Sequence, residues 1–183
     1  MKLTTTTQIT LDGVVQDNGR WARGAGDDST RAFINETYQR ADAFLFGRRT
    51  YELFTEVWAT STHPVGLALQ QAPKYVASTT LTDASWSGTT VLSDAAAIAD
   101  LKAKPGGELQ VHGSGTLIRW LLANGLVDEM TLIVVPVVVG QGRRLFPENG
   151  PDLALDLVES RVDSKGVTIQ VLRPAGRPKY FGA

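Results

Sequence analysis

Two short stretches of this chain have the make-up of anion cradles. Phe46-Gly47-Arg48-Arg49-Thr50-Tyr51-Glu52 and His112-Gly113-Ser114-Gly115-Thr116 each pass from an apolar, strand-like segment through glycine into a helix-forming one. A helix start presents free backbone N–H groups and the positive end of the peptide dipoles. Glycine lets a phosphate approach the backbone, Thr50, Ser114 and Thr116 add hydroxyl donors, and Arg48 and Arg49 add charged forks. Two such cradles on one sheet suit a dinucleotide. Neither has the fuller GxGxxG spacing or the phosphate-loop pattern, and each also reads as a plain turn. Ser78, Thr79 and Thr80 end a third strand-like run, KYVAST, where hydroxyls near an arginine suit a ribose 2′-phosphate or a simple Ser/Thr turn.

A second group lies in and after a long polar first loop: Asp12, Trp21, Asp27 and Asp28. A carboxylate there could anchor an aminopyrimidine or relay a proton. Asp27 and Asp28 equally suit a helix cap, and Asp12, before Gly13, a turn. Gly140-Gln141-Gly142-Arg143-Arg144 reads as a phosphate-facing lid or a solvated loop. His112 ends a strand as a packed polar residue, and His63, in THP, reads as loop surface. With two histidines and no cysteine, disulfides and thiolate metal sites are excluded and a protein-bound metal is not expected. No Ser/His/Asp order, HExxH or EF-hand spacing is present. The residues suit a site in which a bound diphosphate cofactor does the chemistry, and hydride transfer fits that description.

The elements that must position these residues follow from local pattern. Threonine-rich Lys2 to Leu11 suits a strand. Phe33, Ile34, Thr37, Tyr38 and Ala41 recur at helical spacing after the Asp27/Asp28 cap. Ala43 to Phe46, Lys74 to Thr79, Thr89 to Leu92 and Glu108 to His112 read as strands, with helices after Gly47, Asp94 and Gly115. Glu129 to Val139, Leu153 to Val162 and Val167 to Leu172 close the sheet, the last two joined by the turn Asp163 to Gly166. This predicts a three-layer α/β/α fold, mostly parallel with an antiparallel C-terminal hairpin, in one domain over residues 1–183. Hydrophobic residues at 43% and a net charge of -1 exclude disorder as the main state and argue against nucleic-acid or anionic-membrane partners. The longest apolar run, Leu132 to Val139, is interrupted by Pro136, and no signal-peptide segment is visible, so a cytoplasmic protein is expected.

TLDG (Thr10–Gly13), ADAFLFGRRTYE (Ala41–Glu52) and LQVHGSGTLIRWLLANGLVDEMTLIVVPVVVGQGRRLF (Leu109–Phe146) resemble the dihydrofolate-reductase-like superfamily. The likeness is to the C-terminal reductase domain of the riboflavin-biosynthesis deaminase-reductase, and it covers nearly the whole chain. It implies NADPH as hydride donor and a homodimer acting on a small-molecule substrate. By position, Gly47, Arg48, Arg49 and Thr50 match the first cofactor turn, Ser78 and Thr79 the hydroxyls near the 2′-phosphate, and Gly113, Ser114, Gly115 and Thr116 the pyrophosphate turn. Val15 and Gln16 would line the nicotinamide. Trp21 and Asp12 would face substrate, and Asp27 or Asp28 would be the catalytic carboxylate, unless an ordered water supplies the proton. Three departures concern the substrate. Where the riboflavin enzymes carry Asp-Asp-Pro-x-Leu, this chain reads ELFTEVWATSTHP, and His112 stands where they usually have Glu; the zinc-binding deaminase part has no counterpart in the sequence. The resemblance thus implies an NADPH-dependent reductase of a pteridine-, aminopyrimidine- or carbonyl/imine-type substrate. The alternatives are 5-amino-6-(5-phosphoribosylamino)uracil or dihydrofolate reduction, or a non-catalytic NADP(H)-binding protein.

Overall fold

The first strand, β1 (Lys2–Thr10), carries five threonines, whose β-branched side chains fit a pleated surface. It lies deep inside an eight-stranded sheet. The others are β2 (Ala41–Gly47), β3 (Lys74–Ala77), β4 (Thr89–Leu92), β5 (Glu108–His112), β6 (Glu129–Val135), β7 (Leu155–Val162) and β8 (Thr168–Pro174), in the order β4-β3-β2-β5-β1-β6-β8-β7. From β4 to β6 every pairing is parallel, whereas β8 and β7 add antiparallel. The expected mixed sheet is thus present. Its parallel strands all deliver their carboxyl ends, and the turns that follow, to one edge. The computed structural model describes residues 1–16 and 18–182.

The helices are α1 (Asn18–Trp21), α2 (Asp28–Gln39), α3 (Arg48–Trp58), α4 (Pro64–Gln71), α5 (Ala95–Ala103) and α6 (Gly115–Ala123). Alternation along β2 shows how they are sorted. Phe44 and Phe46 face α3 and α4 in a cluster with Tyr51, Val65, Leu69, Val76 and Trp86, while Ala43 and Leu45 face α5 and α6 with Ile98, Leu101, Ile118 and Leu121. Phe33 of α2 joins Ile133, Val167 and Ile169. Both faces are therefore covered, as a parallel sheet requires. Across the described residues no helix is long and apolar enough to cross a membrane.

Helix α4 lies where local periodicity offers no reading. His63 lies exposed in the loop, as expected, and also caps the helix: its Nδ1 accepts from Val65 N–H (3.3 Å), with Pro64 at the first helical position. The other end of α4 is closed by Lys74, which is only 1% exposed. Its Nζ donates to the carbonyls of Leu69 (2.9 Å), Ala72 (2.8 Å) and Gln70 (3.4 Å) and sits 5.0 Å from the Trp86 ring centroid. A buried ammonium is tolerated because carbonyls left over at the helix end solvate it.

Polar side chains also form a ladder along β5. Glu108 holds Arg40 (2.9 Å), Gln110 Nε2 donates to Thr37 O and Glu108 Oε2 (both 2.7 Å), and His112 Nε2 lies 2.9 Å from Gln110 Oε1. The His112 ring stacks on Tyr38 with centroids 3.8 Å apart. Burial, with a smaller contribution from Arg40, pushes the His112 pKa down to about 3.

Two predictions follow from this interior. Lys74→Met strands the α4 carbonyls and should cost about 2–4 kcal/mol in urea unfolding, whereas Lys2→Met, at an exposed pair with Glu129, should cost less than about 1. Equal losses would show that Lys74 does not support α4. His112 is neutral in the folded chain, while its unfolded counterpart takes up a proton below about pH 6.5. Stability should therefore fall as the pH drops from 6.5 towards 3, approaching about 1.4 kcal/mol per pH unit. Denaturation curves at pH 7.5, 6 and 5 check the slope, and His112→Gln should flatten it.

Candidate functional site

A cleft of about 1040 Å³ opens at the carboxyl ends of β2, β3 and β4 and along the start of α6. Its volume is ample for a cofactor-sized ligand. Val15, Gly47, Arg48, Arg49, Thr50, Ser78, Thr79, Ser114, Gly115 and Thr116 all line it. Gly113 is outside the lining and instead begins the turn, with φ +62°. Residues from four separate stretches of chain thus share one cavity.

The helix starts distinguish this edge. Asp27, His63 and Asp94 cap α2, α4 and α5 through their side chains. No side chain caps α3, which begins after Gly47, or α6, which begins after Ser114. These two uncapped ends are the two cradles, and their first N–H groups are available to an anion. The cradles also touch. A Cβ on Gly47 would lie closer than 3.0 Å to Ser114 Oγ, a separation that folded proteins essentially never show. Ser114 itself takes the left-handed conformation (φ +59°, ψ +56°), the single non-glycine residue with positive φ among the described residues. For a side-chain-bearing residue that conformation costs energy, and such strain concentrates at ligand sites.

Arginines set the charge. Arg48 Nε donates to Glu52 (2.7 Å), and its Nη1 donates to Thr80 Oγ1 (2.9 Å) and Thr80 O (3.2 Å). Ser78 Oγ accepts from the N–H groups of Thr80 (3.2 Å) and Leu81 (3.0 Å), so the expected Ser/Thr turn is present and Arg48 ties it to α3. Arg49 is exposed in the lining and makes no ion pair with any described residue. Arg119 and Arg143 complete four arginines against Asp94 in the lining, an electropositive cleft on a chain of net charge -1. The sequence reading missed Arg119, Ser93, Ile98 and Trp120 as lining residues and took Asp94 only as a cap. Arg119 had a usable signal: it stands three residues after Thr116, which puts both on one face of α6, and its Nη2 donates to Thr116 Oγ1 (3.3 Å).

A smaller cleft of about 510 Å³ adjoins through the shared residue Gln16, and Arg20, Trp21, Val139, Gln141 and Gly142 complete its lining. Trp21 Nε1 donates to Gln16 O (2.9 Å). None of residues 52–64 lines either cleft.

The acids named from sequence lie elsewhere. Asp27 Oδ1 accepts from Ser29 N–H (2.8 Å), Ser29 Oγ (2.7 Å) and Thr30 N–H (3.3 Å), and its Oδ2 from Ser164 Oγ (2.6 Å) and N–H (2.9 Å). The hydroxyl of Ser164, followed by that of Ser29, holds its carboxyl far below the usual range. Asp28 is exposed and pairs with Arg31. Asp27 thus serves as the helix cap and Asp28 sits in a surface pair, the alternative their sequence position also offered, and neither residue lines either cleft. Asp12 likewise spends its carboxylate on the chain. It accepts from Thr10 Oγ1 (2.6 Å), Gly140 N–H (2.9 Å) and Val139 N–H (3.3 Å) and lies 3.6 Å from Arg144. Donation by the Thr10 hydroxyl, with help from the two N–H groups, lowers its pKa.

Comparison with known proteins agrees with the architecture. The RibD C-terminal domain model matches residues 1–169. Two relatives from Bacillus subtilis (strain 168) are similar: the uncharacterized protein YyaP, 29% identical over 171 residues and 87% of each chain, and the uncharacterized protein YwjB, 26% identical over 173 residues, covering 90% of this chain and 94% of its own. Among solved structures, a putative riboflavin biosynthesis protein from Shewanella sp. PV-4 superposes with a TM-score of 0.77 at 23% identity, covering 96% of this chain and all of its own. A pyrimidine reductase-like protein from Corynebacterium diphtheriae gives 0.65 at 12% identity, covering 96% and 92%. These structures share the dihydrofolate-reductase-like fold, and with the family model spanning most of its length the chain belongs to the RibD C-terminal domain family.

Proposed function

We propose that this chain is an NADPH-dependent reductase that transfers a hydride to a small conjugated substrate. The observation that carries the reading is the meeting of two uncapped helix starts, at Gly47 and Ser114, inside an arginine-lined cleft. A dinucleotide diphosphate suits those N–H groups, since Gly47 leaves the backbone bare and Thr50, Ser114 and Thr116 offer hydroxyls. Arg48, Arg49, Ser78 and Thr79 suit a 2′-phosphate, which separates NADPH from NADH. Val15 and Gln16, where the two clefts adjoin, suit the nicotinamide. When bound, the reduced nicotinamide supplies the hydride.

The chain's own residues then position the reactants rather than activate them. The indole of Trp21 and the amides of Gln16 and Gln141 suit a flat, polar-edged acceptor such as a pteridine or aminopyrimidine in the smaller cleft. The proton comes from water, because Asp27 and Asp28 stand outside both clefts. The names of the Shewanella and Corynebacterium structures support a reductase of this kind. Turnover with 5-amino-6-(5-phosphoribosylamino)uracil and with dihydrofolate tests the two specific alternatives.

Calorimetric titration with NADPH and NADH is the direct test. The wild type should prefer NADPH, and the double variant Arg48→Ala/Arg49→Ala should lose at least tenfold in NADPH affinity with less than threefold change for NADH. Equal losses for both cofactors would remove the 2′-phosphate assignment, and no binding of either would end the reductase reading.

Gly47→Ala should weaken NADPH severalfold, because the added methyl group displaces the Ser114 hydroxyl from the cradle. In the Ser114→Gly background, which lacks that hydroxyl, the same substitution should cost less, a coupling that a double-mutant cycle measures. Additive effects would show that the two turns bind independently.

A further inference from the structure

The segment Val137–Leu145 and the first loop are laced together along their whole contact. Leu11 N–H donates to Val137 O (2.9 Å), Val15 N–H to Arg143 O (2.8 Å), Leu145 N–H to Gly13 O (2.9 Å) and Arg143 N–H to Gln16 Oε1 (3.2 Å). Gly142 lies so close to Val14 that an added Cβ would fall under 3.0 Å from its Cγ1. Leu145 is fully buried and anchors one end. Arg119 Nη1 donates to Arg144 O (3.1 Å), which joins the segment to the start of α6.

At the centre of this lacing stands Asp12. Thr10 Oγ1 accepts from Val14 N–H (2.9 Å) and donates onward to Asp12, whose two oxygens then take the N–H groups of Val139 and Gly140 and face Arg144. Arg144 also donates to the Asp12 carbonyl. One side chain in the first loop therefore adds three contacts across to the other, beside the backbone bonds. Those loops form walls of both clefts: Val15 and Arg143 line the larger, Val139, Gln141 and Gly142 the smaller, and Gln16 both.

We propose that Asp12 is a positioning residue that clasps the two loops into one body, so that occupancy of the larger cleft sets the geometry of the smaller. A ligand in the larger cleft meets Val15, Gln16 and Arg143, which the clasp joins to the Val139–Gly142 wall of the smaller, so that a shift of either loop on binding is carried to the second cleft. The clasp itself stands on the hydrogen bonds alone, while the identity of the ligand rests on the cofactor reading above.

Amide hydrogen exchange on the ligand-free chain tests the clasp. In Asp12→Ala the amides of Val139 and Gly140 lose their acceptor directly, and those of Val15, Arg143 and Leu145 should speed up with them by at least tenfold while β1 and β6 keep their protection. Faster exchange confined to Val139 and Gly140 would overturn the proposal. Asp12→Asn, which keeps one oxygen, should give a smaller effect at the same five amides, and it serves if the alanine variant does not fold.

Fluorine NMR of the chain labelled with 5-fluorotryptophan tests the coupling, with the Trp21 signal assigned through Trp21→Phe. In the wild type NADPH should shift the Trp21 resonance, although Trp21 lines the other cleft. In Asp12→Ala saturating NADPH should move that resonance less than half as far, the remainder passing through the bond from Trp21 to Gln16 O; a full wild-type response in the variant would mean that Asp12 only adds stability. If the wild type binds no NADPH, the reductase reading fails and the exchange result alone decides the clasp.

Discussion

Everything at the candidate site depends on how closely the turn after β2 approaches the turn after β5. The strands are hydrogen-bonded neighbours, paired in parallel from Ala43 with Leu109 and Phe44 with Gln110, so their carboxyl ends emerge side by side. The helices that follow leave to opposite faces of the sheet, yet both begin at the same edge. The Ser114 hydroxyl occupies the place where a Cβ of residue 47 would lie, and Ser114 accepts a left-handed backbone to begin α6 there. Two free helix starts converge as a result of strand order. No local motif is required to build the anion site, which explains why neither stretch matches a standard phosphate-binding fingerprint.

The distribution of charge follows the same logic. The best-satisfied carboxylates are engaged by backbone N–H groups and hydroxyls: Asp12 by the Val137–Leu145 segment, Asp27 by α2 and Ser164, and Asp163 by Asp27 N–H and Thr30. Glu108 is engaged by Arg40 and Gln110. The buried cation, Lys74, is spent on the end of α4. What is left facing the larger cleft is mainly guanidinium. An almost neutral chain thereby acquires a positive cavity, and the imidazole nearest the cradles, His112, is held neutral by its burial.

Much of the frame was legible because local pattern reports on neighbours within a few residues. The alternation of Val167, Ile169 and Val171 with Thr168 and Gln170 marks β8 and the apolar run Ala43–Phe46 marks β2, while the sequence of strand, glycine and helix locates both cradles. The roles of the acids were not legible, because their partners are far along the chain: Asp12 meets Gly140, and Asp27 meets Ser164. An aspartate before glycine looks the same whether it closes a turn or clasps a loop 128 residues away. Helix α4 escaped for another reason. It is apolar on most of its surface and only eight residues long, so it shows no polar face from which a helical period could be read.

The division between the clefts bears on how one frame can serve different substrates. The larger cleft is built from strand ends and helix starts, whose positions are fixed by the sheet. The smaller is built from α1, Gln16 and the Val137–Leu145 segment, which the sheet holds only through hydrogen bonds and the buried Leu145. Changing residues 52–64 leaves the lining of both untouched, so loss of a substrate-holding motif there does not disturb the proposed cofactor site. A loop-built pocket beside a strand-built one can change its lining at little cost to stability, provided that something fixes the loops relative to the cofactor. A carboxylate seated in one loop and accepting from the backbone of the other meets that need, since it constrains backbone rather than side chains and so leaves the residues that would face the substrate free to vary.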